Sequence, residues 1–577
     1  MKTLFKNGTV VNVFTGELIK TNVLTEDDRI IGVDSYQDSE ADNVRDIEGC
    51  FICPGFIDGH IHIESTMLVP HQLAKIAVPH GTTTVIADPH EIANVCGING
   101  IEYMIEASRN IPLNVYFMLP SCVPATDIDE SGAVLDAGEL EKLYGKERVL
   151  GLAEMMNFPG VINGDRRVLD KLEAARRKNM IIDGHAPLVT GKSLDSYISC
   201  GIYSDHEVTS VQEAAEKIRK GQWLMIREGS SAKNLDSLLA FFNPPFNHRC
   251  LLVTDDRNPA DIRKEGQIDN IVRKAASKGI SPVTAITMAT LNAATCFRLH
   301  GKGAIAPGYD ADFLILDNLE KVRIREVWIG GKKACENGGA VISDPPAISP
   351  EPEAAVRNSM NIRTPEAKDF FIENKGNICR IINIIPGQLI TDEIIAELDF
   401  SSRNGIDISN DILKLAVLER HKGTGHMGIG FVKGLGLKKG AIASSVSHDS
   451  HNIITAGTNE SDMAAACRRL KENGGGLVAV ADGETVAELP LNIAGIMSDR
   501  SPAEVIEKHE KLKNAVHSVL GASGEIEPFM MLSFLALPVI PSLKMTTRGL
   551  VDVLNQKLYT TCFCPEDLLD NSIIRFK

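Results

Sequence analysis

Apolar runs of strand type alternate with amphipathic stretches of helix type from Phe56 to about His300. This alternation limits the fold more than any other feature of the chain. The strand-like runs include Thr83-Thr-Val-Ile-Ala-Asp88, Asn114-Val-Tyr-Phe-Met-Leu119, Val149-Leu-Gly-Leu-Ala-Glu154, Met180-Ile-Ile-Asp-Gly-His185 and Cys250-Leu-Leu-Val-Thr-Asp255. Between them lie stretches such as Val168-Leu-Asp-Lys-Leu-Glu-Ala-Ala-Arg-Arg177. Strands apolar along their whole length, each followed by a helix, belong to parallel sheets covered on both faces. About 245 residues of this pattern fits a TIM-type (β/α)8 barrel, with an open doubly wound sheet as the alternative.

The remainder of the 577 residues divides around that block. Residues 1–55 carry short β-type runs, Gly8-Thr-Val-Val-Asn-Val-Phe14 and Ile30-Ile-Gly-Val-Asp34 among them. The barrel block is expected to span 56–302. Residues 303–342 return to β character, 343–359 read as a proline-rich linker, and 360–577 form a separate mixed α/β domain. A length of 577 residues is too great for one core, so two or three domains are expected.

Composition narrows the partners. A formal net charge of -16 argues against a nucleic-acid polymer, which requires a basic surface. No apolar run reaches the length of a membrane span, and the N-terminus turns polar too early for a signal peptide, so the expected location is cytoplasmic with no membrane partner. The twelve cysteines are scattered and read as small buried apolar residues of a reducing compartment. The close pairs Cys50-x-x-Cys53 and Cys562-x-Cys564 lack a second matching pair for a zinc site and read as structural.

The chemistry is concentrated at strand ends. In Phe56-Ile-Asp-Gly-His60-Ile-His62-Ile-Glu64, alternate side chains share a face, so His60 and His62 point the same way, with Asp58-Gly59 read as a turn leading into them. Parallel barrels place their active sites at the C-terminal ends of the strands. Successive strand ends supply His60 and His62, then Glu154, His185, His206 and Asp255. Four imidazoles and two carboxylates can hold two divalent ions, and a carboxylate such as Glu154 can bridge them and offset their repulsion. His71 and His80 read as structural.

The motif Pro54-Gly-Phe-Ile-Asp-Gly-His60-Ile-His62, single histidines on two later strands, Thr254-Asp255, and the flanking Gly303-x-Ile-x-Pro-Gly-x-Asp-Ala-Asp312 resemble the amidohydrolase superfamily. Within it the chain resembles the bacterial adenine deaminase family. The matching stretches are His62-Ile-Glu-Ser65, Asp88-Pro-His-Glu-Ile-Ala-Asn94, Gly151-Leu-Ala-Glu-Met-Met156, Asp255-Asp-Arg257 and Val446-Ser-His-Asp-Ser-His-Asn452. The resemblance implies a small β-sandwich built from both flanks of the barrel. It also implies a binuclear centre, with Mn2+ first and Fe2+ or Zn2+ as alternatives. Related branches bridge their metals with a carbamylated lysine; here the middle strand offers Glu154 and no lysine.

The implied reaction is hydrolysis of adenine to hypoxanthine and ammonia, in purine salvage or adenine catabolism. Guanine, cytosine or a related cyclic amidine or amide is the alternative substrate. Water becomes nucleophilic at neutral pH when a divalent ion lowers its pKa toward 7, and C6 of adenine is the electrophile. Asp255 is expected to take the water proton, Glu64 to shuttle protons and Glu154 to bridge. His90, Glu91 and Arg257 are candidates for substrate contact. So are His448, Asp449 and His451, in a loop that the resemblance places over the barrel mouth. Adenine and water are the expected partners, and barrels of this group often associate as homo-oligomers.

One rival motif stands apart. Gly423-x-Gly425-x-x-Gly428 has dinucleotide-binding spacing, but the residues after it, rich in glycine and β-formers, argue against the helix that this function requires.

Overall fold

The computed structural model describes residues 1–341, 344–372 and 376–564. The expected boundary at 342/343 and the end of the 360–577 segment lie outside the described residues. The chain forms two compact units. One comprises Met1–Pro89, Met104–Ser121 and Asp136–Ile348; the other comprises His90–Tyr103, Cys122–Leu135 and Ser349–Lys577.

In the first unit eight parallel strands follow one another: β1 Phe56–Ile61, β2 Thr82–Ala87, β3 Asn114–Leu119, β4 Val149–Met155, β5 Ile181–Gly184, β6 Ser204–Asp205, β7 Trp223–Arg227 and β8 Cys250–Val253. Strands β1 to β5 pair in sequence order, as do β6 to β8. The two runs meet where the Tyr203 N–H donates to the Ile182 carbonyl at 3.0 Å. The sheet then curls until Asp255, after β8, bridges Ile61 in parallel fashion, its N–H donating to the His60 carbonyl at 2.9 Å. Every residue of β1 and β2 is buried, as expected of strands packed on both faces. Ile57, Ile86, Met118, Ala153, Ile181, Met225, Leu251 and Val253 join one apolar core.

Strand β5 ends at Gly184, where any Cβ would collide with the Ser204 carbonyl, so glycine is what lets β5 and β6 approach just before His185. The segments flanking these parallel strands join in a single nine-stranded sheet, with Phe313–Asn318 antiparallel to Phe51–Pro54. Phe5 packs edge-on against Phe313 and Trp328, each at 5.0 Å, inside the core of this sheet. Cys50 and Cys53 are buried free thiols, as the sequence reading expects.

Four local expectations differ from what is found. Asp58-Gly59 lies inside β1 rather than in a turn, because the Asp58 carboxylate has donors within the unit. The proline-rich stretch is partly ordered: Pro350–Arg357 is a helix, its prolines falling in the first turn, where no N–H is needed. Cys562 is not a lone buried thiol. It faces Cys379 in antiparallel register and forms a disulfide with it, at a Cα–Cα distance of 4.2 Å. The apolar run Trp223-Leu-Met-Ile forms β7, a strand beyond those expected from the sequence.

The second unit is built on another nine-stranded mixed sheet covered by helix Glu460–Glu472. Asn459 caps this helix through the Asp462 N–H, and Met463, Ala466, Cys467 and Leu470 pack on Ala416, Leu418, Ala443 and Val480. Met427–Lys433, at the end of the glycine motif, is a strand antiparallel to Ile412–Leu418, so no helix follows the glycines. Two stretches that the sequence reading places in the 56–302 block belong to this unit. The Gly132 N–H donates to the Asn94 carbonyl at 2.7 Å, and the Glu130 carboxylate accepts from Thr547 Oγ1 at 2.5 Å and contacts His426 Nδ1 at 2.9 Å. Among the described residues no helix is long and apolar enough to cross a membrane.

Candidate metal centre

Six side chains at the ends of β1, β4, β5, β6 and β8 converge in the first unit. His60 Nε2 and His62 Nε2 are 3.2 Å apart. The Asp88 carbonyl, 3.1 Å from His62 Nδ1, can only accept, so Nδ1 carries a proton and Nε2 is the nitrogen that faces inward. Asp183 Oδ2 lies 3.4 Å from His60 Nδ1 and favours the same tautomer there.

Glu154 stands between the imidazoles. Its Oε1 is 3.3 Å from His62 Nε2; its Oε2 is 2.6 Å from His185 Nδ1 and 3.2 Å from His206 Nε2. One oxygen thus faces the β1 histidines and the other the β5 and β6 histidines, the disposition a bridging ligand needs. Burial alone would raise the Glu154 pKa, but the surrounding imidazoles outweigh it and hold the carboxylate well below its usual range. His206 stacks on His60 at 4.3 Å. The His185 backbone N–H donates to the Tyr197 hydroxyl, which donates to the Met155 carbonyl, both at 2.9 Å.

Asp255 completes the group, with Oδ1 3.2 Å from His62 Nε2 and 3.8 Å from His60 Nε2. Its placement depends on Asp58. That buried carboxylate accepts from the Thr254 N–H at 3.0 Å, the Thr254 hydroxyl, Gln267 Nε2 at 3.0 Å and the His60 N–H at 3.4 Å. Burial pushes the Asp58 pKa up to about 6 despite these donors. The donor atoms of His60, Glu154 and His206, of His60, His62 and Asp255, and of His185, His206 and Glu207 form three sets, each within 4.8 Å. Mixed imidazole and carboxylate donors at this spacing suit a pair of divalent cations.

Other sequence candidates are placed differently. Glu64 is buried in the short turn Ile63–Thr66, directly after His62. Arg257 is buried and directs its guanidinium to the Gly266 and Glu228 carbonyls and to Glu265, so it braces its own loop. His71 is buried in helix Pro70–Ala77, and His80 pairs with Asp269 at 3.1 Å.

Asp183, Glu207 and Arg227 were not picked out from sequence. Asp183 lies two residues before His185, Glu207 directly follows His206, and Arg227 ends β7, so all three sit at strand ends that the sequence pattern marks.

In the second unit, by itself, the five remaining candidates gather. Glu91 Oε1 is 2.8 Å from His448 Nδ1, Glu91 Oε2 is 3.8 Å from His451 Nε2, and His90 Nε2 is 3.9 Å from Asp449 Oδ1. His448 stacks on Phe534 at 4.5 Å. The Ser447 N–H donates to His451 Nδ1 at 3.1 Å, so Nε2 bears the proton in the neutral ring. Burial lowers the His451 pKa to about 3 and keeps the ring neutral. A protonated Nε2 is a hydrogen-bond donor rather than a metal ligand, so this cluster suits polar recognition.

Comparison with known proteins bears on this geometry. Residues 51–334 match the amidohydrolase family, and residues 388–557 match the adenine deaminase C-terminal domain. The chain is 47% identical over 553 residues to adenine deaminase 2 of Carboxydothermus hydrogenoformans, covering 95% of each. The chain belongs to the adenine deaminase family. It is also 45% identical to adenine deaminases of Nitratidesulfovibrio vulgaris strain DP4, over 95% of this chain and 94% of that one, and of Geobacillus kaustophilus, over 95% of each.

If His60 and His62 share one ion, replacing both with Ala should remove metal and activity together. Elemental analysis of the purified double variant checks this, and a full metal complement would contradict it.

Proposed function

We infer that this protein hydrolyses adenine to hypoxanthine and ammonia. The observation that carries the reading is near-full-length kinship with adenine deaminases, joined to a buried His and carboxylate cluster with Glu154 at its centre. We read the curled eight-strand parallel sheet as a TIM-type (β/α)8 barrel presenting that cluster at its strand ends. His60, His62 and Asp255 would hold one divalent cation and His185 and His206 a second, with Glu154 between. Mn2+ is the first choice, and Fe2+ or Zn2+ also fit the donors. Such cations, when bound, lower the pKa of water toward neutrality and supply a nucleophile at physiological pH.

The protein's own groups then manage protons. Asp255 Oδ1, facing the β1 imidazoles, takes a proton from the attacking water. Glu64, beside His62, is assigned the shuttle that protonates N1 as oxygen bonds to C6. A second proton reaches the amine nitrogen, the C6–N bond breaks, and ammonia leaves. The ring is left as the 6-oxo purine, so one water is consumed per ammonia released. We assign recognition of the base to His90, Glu91, His448, Asp449 and His451, supported by their convergence in the second unit. A site built to pair a planar base's donors and acceptors rejects analogues that leave them unpaired. Purine salvage is the proposed setting.

Ammonia release from adenine, guanine, cytosine and adenosine, with and without added Mn2+, tests the reading; turnover of adenine alone is expected. Glu154→Gln keeps the size and removes the charge between the cations. It should reduce metal stoichiometry and lower turnover by about a hundred-fold or more. Wild-type turnover with two ions retained would remove Glu154 from the site. Replacing His448, Asp449 and His451 together with Ala should depress adenine turnover while elemental analysis still finds the full metal content. Unchanged turnover would reduce the cluster to a structural loop.

A further inference from the structure

Strand β7 ends on a side chain that the reaction scheme has not used. Arg227 Nη1 donates to Asp255 Oδ2 and, at 2.6 Å, to Glu207 Oε1, while Nη2 donates to Glu207 Oε2 at 2.9 Å. The guanidinium is largely buried, with 12% of the side chain exposed. Its backbone is held from both sides by Asn234. The Arg227 N–H donates to Asn234 Oδ1 at 2.8 Å, and the Asn234 N–H donates to the Arg227 carbonyl at 3.0 Å. Asn234 Nδ2 also reaches the His206 and Val208 carbonyls, at 3.3 and 2.9 Å. The arginine is thus fixed to the segment that carries His206 and Glu207.

Asp255 needs such a partner. Its backbone lies in the left-handed region at φ 58°, just beyond the end of β8, and a carboxylate rotates in a broad, two-fold torsional well. Untethered, either oxygen could face the histidines. We propose that Arg227 is a positioning residue whose fork, braced by Glu207, holds Asp255 through Oδ2 so that Oδ1 alone is presented to His60 and His62.

The geometry explains why arginine occupies the position. One planar group with five fixed N–H vectors can serve two carboxylates at once, whereas an ammonium is a point charge without the fork. The inference rests on the reading of Asp255 as a metal ligand.

Removing metal by chelation and titrating Mn2+ back, with free Mn2+ counted by electron paramagnetic resonance, tests it without reference to turnover. Asp255→Ala should weaken one of the two sites. Arg227→Ala should weaken the same site about ten- to a hundred-fold, the usual scale for partners behind a metal ligand. Guanidinium ion added to this variant should restore the affinity. Arg227→Lys, which keeps charge and most of the volume, should recover only part of it. Wild-type affinity in either Arg227 variant overturns the proposal, as does a loss in Arg227→Ala that guanidinium leaves unchanged. Should Arg227→Ala fail to fold, Arg227→Lys decides alone. Wild-type affinity in Asp255→Ala would remove the ligand reading itself, a failure distinct from one confined to Arg227.

Discussion

The centre depends on one buried carboxylate that does no chemistry. Asp58 sits mid-strand in β1 and accepts from both the backbone and the hydroxyl of Thr254, the residue that precedes Asp255. The first strand and the exit from the last are therefore clamped to each other, and the Asp255 N–H closes the same seam on the His60 carbonyl. Without that clamp His60 and His62 would belong to one edge of a sheet and Asp255 to the other. Burying an ionised group is costly unless donors surround it, and four surround this one. The Asp58 pKa still rises to about 6, so the clamp is held at an electrostatic cost offset elsewhere in the fold.

A second consequence follows from where the imidazole protons sit. The carbonyl behind His62 accepts from its Nδ1–H and the Asp183 carboxylate lies behind Nδ1 of His60, which turns both Nε2 atoms inward. His185 behaves differently, presenting Nδ1 to Glu154. The orientation of these rings is therefore set by groups that belong to the folded chain. The second unit shows the reverse use of the same residue type. His451 accepts from a backbone N–H, keeps its outer proton and becomes a donor. Histidine alone does not announce a metal; the partner on its other nitrogen does.

Much of this was legible in the sequence because it is periodic. Strand ends after apolar runs located His60, His62, Glu154, His185, His206 and Asp255, and the structure brings all six together. His90 and Glu91, at the end of the second strand, and His448, Asp449 and His451, in the loop that the family resemblance points to, also converge. The misses have physical causes. Asp58-Gly59 has turn-type composition, but long-range donors from Thr254 and Gln267 override that local preference. Strand β6 is only two residues long, too short for periodicity to mark, although its histidine was found. Strand β7 contains no histidine or acid, so nothing in its composition marks Arg227. The cross-strand register that joins Cys379 to Cys562 across 183 residues leaves no trace in local spacing. Arg257 is the opposite case, a charged residue beside a ligand whose donors all turn away from it.

Charge explains why an arginine belongs in a centre meant for cations. Glu154, Asp255 and Glu207 bring three carboxylates close together, and burial makes their mutual repulsion strong. Two divalent cations would more than neutralise them, but the folded chain must also exist before the metals arrive. Arg227 lowers that cost by pairing two of the three acids, while the imidazoles hold Glu154. The guanidinium stays charged at any pH at which the protein is folded, so its relief does not come and go with acidity. Its pairing with Glu207 and Asp255 is thus a fixed feature of the folded chain rather than a response to acidity.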